Sequence, residues 1–141
     1  MATTYVTIRR RMRELLGERP NATTSGAGNA GGTTAPDTAL AVFDDDHFND
    51  SFYLLLTSGT YSGENRPVSD FASSGGVMTV PRAYTGQVAS GVSYELLRYS
   101  PDDYMAAHNM ALWQLYPRLH RVVYNEEHVV GSILLNPSFE T

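Results

Sequence analysis

The residues able to do acid–base or metal chemistry are few, and they are densest at Asp44-Asp45-Asp46-His47, with Asp50 close behind. Carboxylate oxygens in a loop suit calcium, but this run lacks the alternate-residue ligands, central glycine and distal glutamate of a calcium loop. An acidic turn is the expected reading, because aspartate is also a good loop former. His108 falls on the apolar face of a predicted helix with no serine or carboxylate placed by the sequence to partner it. It is therefore expected to be a core or interface imidazole rather than a base. His120 and His128 have no third ligand nearby, which makes a zinc site remote. The glycines of SGTYSGENR, residues 58–66, suggest a phosphate cradle. The segment lacks the GK[ST] ending and lies between predicted strands, so it reads as a hairpin loop. No G-x-S-x-G, H-E-x-x-H or paired-carboxylate constellation is present.

Two residue types are missing altogether. There is no cysteine, and all ten basic residues are arginine. That removes thiol nucleophiles, iron–sulfur clusters, thiolate zinc sites, Schiff-base chemistry and the P-loop lysine. A non-enzymatic protein with no cofactor and no metal is the expectation.

The net charge of −5 hides a split: Arg9, Arg10, Arg11, Arg13 and Arg19 face only Glu14 and Glu18 in the first nineteen residues. Arginines in such a run can solvate the polar face of a helix, grip a protein partner or bind nucleic acid. Arg9, Arg10, Arg11 and Arg13 are the candidate partner-binding basic patch, with nucleic acid the least favoured partner.

A chain of 141 residues, 42% hydrophobic and 18% charged, has room for one compact core. Its apolar runs are far short of the roughly 20 residues that span a bilayer, so no membrane partner is expected. The opening Met1-Ala2-Thr3-Thr4 has none of the features of a secretion signal, and export is not expected.

The elements that must carry these residues are legible in outline. Tyr5, Ile8, Met12, Leu15 and Leu16 recur at helical spacing, with Thr3 or Thr4 to cap the start and Gly17 to close the end, predicting a helix over residues 4–16. From Pro20 to Pro36 a Gly, Ala, Thr and Asn tract reads as a flexible linker or extended arm, or as an ordered loop lying on a neighbouring subunit. TALAVF, SFYLLLT, ENRPVSDF, GVMTVP and VSYELLRY then predict about five antiparallel strands closing into a small barrel. Pro67 cannot donate to a ladder, so its strand should be an edge or bulged.

Ser100-Pro101-Asp102-Asp103 marks a helix start: a capping serine, proline at the first position, and two acids at the positive end of the dipole. Tyr104, His108, Ala111, Leu112, Leu115 and Leu119 share one face with Met105 and Tyr116, while Ala106, Met110 and Trp113 fall roughly opposite. Apolar groups on both sides are expected where a helix also packs on another chain. Pro117 should kink or end the helix.

The expected fold class is therefore α+β, a small antiparallel β-barrel flanked by an N-terminal and a C-terminal helix. The boundaries are residues 1–19 for the first helix, 20–36 for the arm, 37–99 for the barrel, 100–124 for the second helix and 125–141 for an extended tail.

FDDDHFNDSFYLLLTSGTYSGENRPVSDF, followed by GGVMTV and ASGVSYEL, resembles a small β-barrel module of tailed-bacteriophage virion proteins, in which a strand, a TSGT-x-x-G-x-x-R turn and a closing strand recur. YSPDDYMAAHNMALWQLYPRLHRVV is similar to the helix of phage neck or connector proteins that pack as rings under the portal. SILLNPSFET, residues 132–141, resembles the opening of the carbohydrate-binding jelly-roll domains that phages append to structural proteins.

These resemblances imply a virion structural protein of neck, connector or tail type, assembled in the host cytoplasm and joined to portal, neck or tail subunits as a homo-oligomer. Glycan binding would come only through a domain downstream of Thr141. A capsid decoration or fibre-anchor protein, and the support module of a glycan-binding or glycan-degrading protein, are the alternatives. Tyr5, Ile8, Met12, Leu15, Met110, Trp113 and Tyr116 are the candidate subunit-interface residues.

Overall fold

A computed structural model of the chain describes residues 4–16, 18 and 22–119. The expected caps at Thr3 and Gly17, the histidines at 120 and 128, and the tail at 125–141 lie outside the described residues. The first helix, α1, spans Tyr5–Leu15. Seven strands follow: β1 Ala22–Thr23, β2 Thr34–Pro36, β3 Tyr53–Leu56, β4 Asn65–Pro67, β5 Asp70–Ala72, β6 Val77–Thr79 and β7 Ser93–Leu97. The second helix, α2, spans Pro101–Leu119. Residues 1–107 form one compact unit, and the rest of α2 belongs to a second.

The fold class is α+β: two helices and two antiparallel sheets, one of four strands in the order β1-β7-β3-β4 and one of three in the order β2-β6-β5. No closed barrel is found among the described residues. Strand alternation explains why the larger sheet has two apolar faces. Leu54 pairs with Leu96, and Leu56 with Tyr94, toward the main core. Leu55 pairs with Glu95, and Tyr53 with Leu97, toward the opposite side. There Leu55, Leu97 and Tyr104 form a second cluster, against which Met12 of α1 packs. The three-stranded sheet contributes one buried row, Ala35, Met78 and Phe71, to the main core.

Several expected elements differ. The tract 20–36 is no free arm over its described residues: β1 pairs with β7 and β2 with β6 inside this chain. Its small residues permit the close approach, and Gly28 is so tightly placed that an added Cβ would lie 1.9 Å from the Thr34 carbonyl oxygen. TALAVF is not a strand. Asp37 accepts a hydrogen bond from the Ala39 N–H at 3.0 Å and starts a short 3₁₀ turn over Thr38–Leu40. ENRPVSDF divides into β4 and β5 in different sheets, and β4, which carries Pro67, is an edge strand as its missing N–H requires.

The Ser100 cap forms as a reciprocal box: Asp103 N–H donates to Ser100 Oγ at 3.2 Å, and Ser100 N–H donates to Asp103 Oδ2 at 3.1 Å. α2 nevertheless runs through Pro117 to Leu119 rather than ending there. Proline withholds one intrahelical bond, and so close to the helix end that loss is small.

Candidate docking surface

From Asn109 to Tyr116 every residue of α2 is exposed. Met110, Leu112, Trp113, Leu115 and Tyr116 are the large apolar groups among them, and Trp113 is 81% exposed. No charged residue occurs between Asp103 and Arg118. A helix that is apolar on opposite sides and uncharged is a poor solvent-facing element, because single exposed apolar residues are ordinary but a contiguous set is not. The expected interface residues Met110, Trp113 and Tyr116 therefore all lie on open surface.

The other candidates are arranged differently. Of α1's apolar residues, Tyr5, Ile8 and Met12 are half-buried within their own chain, whereas Leu15 is 88% exposed. The buried residues of α1 are Arg9 and Arg13, four apart on one face. Both meet Glu95, whose side chain has no solvent exposure: Arg9 Nη2 lies 3.1 Å and Arg13 Nη1 3.0 Å from Glu95 Oε2. Arg10 Nε reaches Glu95 Oε1 at 3.3 Å from a side chain that stays half in solvent.

Two of the four arginines of the expected basic patch are thus buried within the chain. A carboxylate on β7 buries Arg9 and Arg13 and holds Arg10 from a half-exposed position, while Arg11 stands outward, paired with Glu14 at 2.7 Å. Removing a charged group from water costs on the order of several kcal/mol unless partners replace the lost hydration. The guanidinium forks supply them.

Arg13 carries the network further. Its Nη2 donates to the Leu96 carbonyl at 2.8 Å and its Nε to Glu18 Oε2 at 3.0 Å. The other oxygen of Glu18 accepts from the Tyr104 hydroxyl at 2.5 Å. Burial first, and then the Glu18 carboxylate, push the Tyr104 phenol well above its ordinary value, so it is a proton donor throughout the neutral range. A second link joins the same two helices: the Tyr5 hydroxyl donates to the Pro101 carbonyl at 3.1 Å.

Glu95, Glu18 and Tyr104 were not among the sequence candidates. The signal was present in VSYELL, since a glutamate between Tyr94 and Leu96 in a strand apolar on both sides must find a cation. Arginines at helical spacing were the available ones.

The remaining chemical candidates have structural tasks. Asp45 Oδ1 accepts the Ser73 N–H at 2.6 Å, which holds its carboxyl below the usual range, and Asp46 Oδ1 accepts from Asn49 Nδ2 at 2.7 Å. His47 stacks on Phe43 with centroids 4.6 Å apart. Among the described residues no group of three or more metal-binding side chains is assembled. His108 is half-buried on α2.

SGTYSGENR forms the β3–β4 hairpin loop and the first two residues of β4, with Gly59 and Gly63 at positive φ. Its last residue, Arg66, pairs with Glu64 at 3.0 Å, and its guanidinium lies over the Tyr84 ring at 5.3 Å. The hydrogen bond from Thr85, with the charges of Arg66 and Arg82 adding less, holds Glu64 below its ordinary value.

No protein-family model matches the chain, and no curated protein is significantly similar to it. No helix of the described residues is long and apolar enough to cross a membrane.

Proposed function

We propose that this chain is a non-enzymatic structural subunit of a tailed-phage virion, placed at the neck, head-to-tail connector or tail, and that it assembles by docking through α2. The observation that carries the docking is the uncharged exposed run from Met110 to Tyr116, in which Trp113 is 81% exposed. Aromatic residues that lose most of their exposure on association dominate interface energetics, and this helix presents two. The particle setting rests on the resemblance of the 43–71 and 99–123 segments to virion modules. In that reading the two sheets around one core stand for the small barrel module. The partners are further copies of the chain and neighbouring portal, neck or tail subunits.

The test is the mass of the purified chain by light scattering and native mass spectrometry, alone and with its neighbouring virion proteins. Defined multimers or complexes are expected, and Trp113→Asp should abolish them while leaving the unfolding midpoint within experimental scatter. A chain that stays monomeric in every mixture overturns the reading. A subunit count of three would favour a decoration or fibre-anchor protein over a ring component.

A further inference from the structure

Two hydrogen bonds run from α1 and its C-terminal flank to the first turn of α2: Tyr5 to the Pro101 carbonyl, and Tyr104 to Glu18. Met12 adds an apolar contact with the cluster of Leu55, Leu97 and Tyr104, and three arginines of α1 turn to the sheet. Arg9, Arg10 and Arg13 converge on Glu95, and Arg13 also holds the Leu96 carbonyl. α1 is therefore fixed to β7 by charge, and it and its C-terminal flank are joined to the root of α2 by two tyrosine hydroxyls. An 11-residue helix is marginal alone, so α1 persists because the sheet holds it. Its inward face is committed within the chain.

We infer that α1 is a brace, in which Glu18, Tyr5 and Tyr104 are positioning residues that transmit the anchoring of α1 on Glu95 to the root of the docking helix. The inference deepens the proposed docking role of α2 and rests on it only for its effect on assembly. A helix that presents an apolar surface binds more tightly when its root is already ordered, since less conformational freedom is lost on association. Glu18 suits the task because its two oxygens serve different elements, one accepting from Arg13 of α1 and the other from Tyr104 of α2. The capping box at Ser100 and Asp103 fixes where α2 begins. The tyrosine bonds fix that beginning to α1.

The test is the full-length double variant Tyr5→Phe/Tyr104→Phe, which removes both hydroxyl links while keeping the rings and the arginine–Glu95 network. Hydrogen exchange of the Tyr104–Ala107 amides should accelerate about tenfold, in keeping with the loss of two ordinary hydrogen bonds, while the β3 and β7 amides keep their protection. Assembly should weaken in the same variant by at least about threefold, through the ordering cost alone. Glu18→Gln combined with Tyr104→Phe should be non-additive in exchange, because both changes act on one bond. Unchanged exchange at residues 104–107 overturns the brace. Faster exchange in a chain whose wild type does not assemble upholds the brace and overturns the docking role. Faster exchange with undiminished assembly overturns the transmission from root to docking surface.

Discussion

Arg13 and Glu95 meet at 3.0 Å between α1 and an inner strand of the larger sheet, with side-chain exposures of 2% and 0%. Arg9 meets the same carboxylate oxygen at 3.1 Å. A carboxylate inserted between two guanidiniums is stable only as a set, since each charge lost leaves the others without their replacement for water.

Glu95→Leu should consequently destabilise the chain by about 3–5 kcal/mol, the range for orphaning a buried charge. The fourfold change Arg9→Met/Arg13→Met/Glu18→Gln/Glu95→Leu should recover most of that loss, because it removes both buried carboxylates together with the arginines that pair them. Urea unfolding of the two variants checks this. A single variant costing under about 1 kcal/mol would mean that water reaches the arginines.

The turn between β5 and β6 offers a sharper contrast. Gly75 and Gly76 both have positive φ, at 83° and 61°. An alanine Cβ at Gly75 would meet only Val77 Cγ2 at 3.7 Å, but at Gly76 it would lie 2.0 Å from the Asp37 carbonyl oxygen. Gly75→Ala should cost about 1–2 kcal/mol, the left-handed penalty alone. Gly76→Ala should cost clearly more, as the backbone of the 3₁₀ turn must move. Thermal unfolding of the pair distinguishes backbone strain from collision, and equal losses would refute the collision.

Tyr84 and Tyr104 are both held protonated, by burial first. For Tyr84 the Glu64 charge adds to the shift and the Arg66 charge opposes it. For Tyr104 Glu18 reinforces it. A phenol whose folded pKa is raised contributes stability that is complete below the unfolded value of about 10 and is lost as pH rises from there through the folded value. The chain should therefore weaken above pH 10, with two of its nine tyrosines ionising only as it unfolds. Tyrosinate absorbance against circular dichroism follows both events. Ionisation of all nine before loss of structure would contradict the burial of these two.

How much of this was legible follows from where the instructions lie along the chain. Ser100-Pro101-Asp102-Asp103 specifies a helix start with four adjacent residues, and Tyr53–Leu56 and Ser93–Leu97 announce themselves by apolar runs of strand length. β1 and β2 do not. They are two and three small residues whose partners are Tyr94, Ser93 and Val77–Thr79, so their strand character comes from distant chain rather than from their own pattern. The fate of the arginines was hidden for the same reason. A helical wheel sets Arg9 beside Tyr5 and Leu16 at the edge of the apolar stripe, but its carboxylate partner lies 86 residues on. The wheel gave α2 apolar groups on both sides, but among the described residues Tyr104 at its root is the one buried, and Leu112 and Leu115 of the same face are exposed.

Trp113 is the only tryptophan, and it is 81% exposed in the single chain, so its fluorescence reports on α2 alone. At low concentration its emission should be that of an indole in water and open to quenching by iodide. As the chain assembles, the indole enters an apolar contact, so emission should shift to the blue and quenching should fall several-fold, with a midpoint that matches the mass transition. Covering an aromatic side chain of this size contributes about 1.5–3 kcal/mol by the area rule, enough for Trp113→Ala to raise the apparent dissociation constant by roughly one to two orders of magnitude. Because the ring makes few contacts in the single chain, the same substitution should leave the unfolding midpoint of the monomer unchanged. Emission that stays red while the mass rises would move the interface off α2, and the exposed Leu15 and Leu16 at the end of α1 would then be the next surface to substitute.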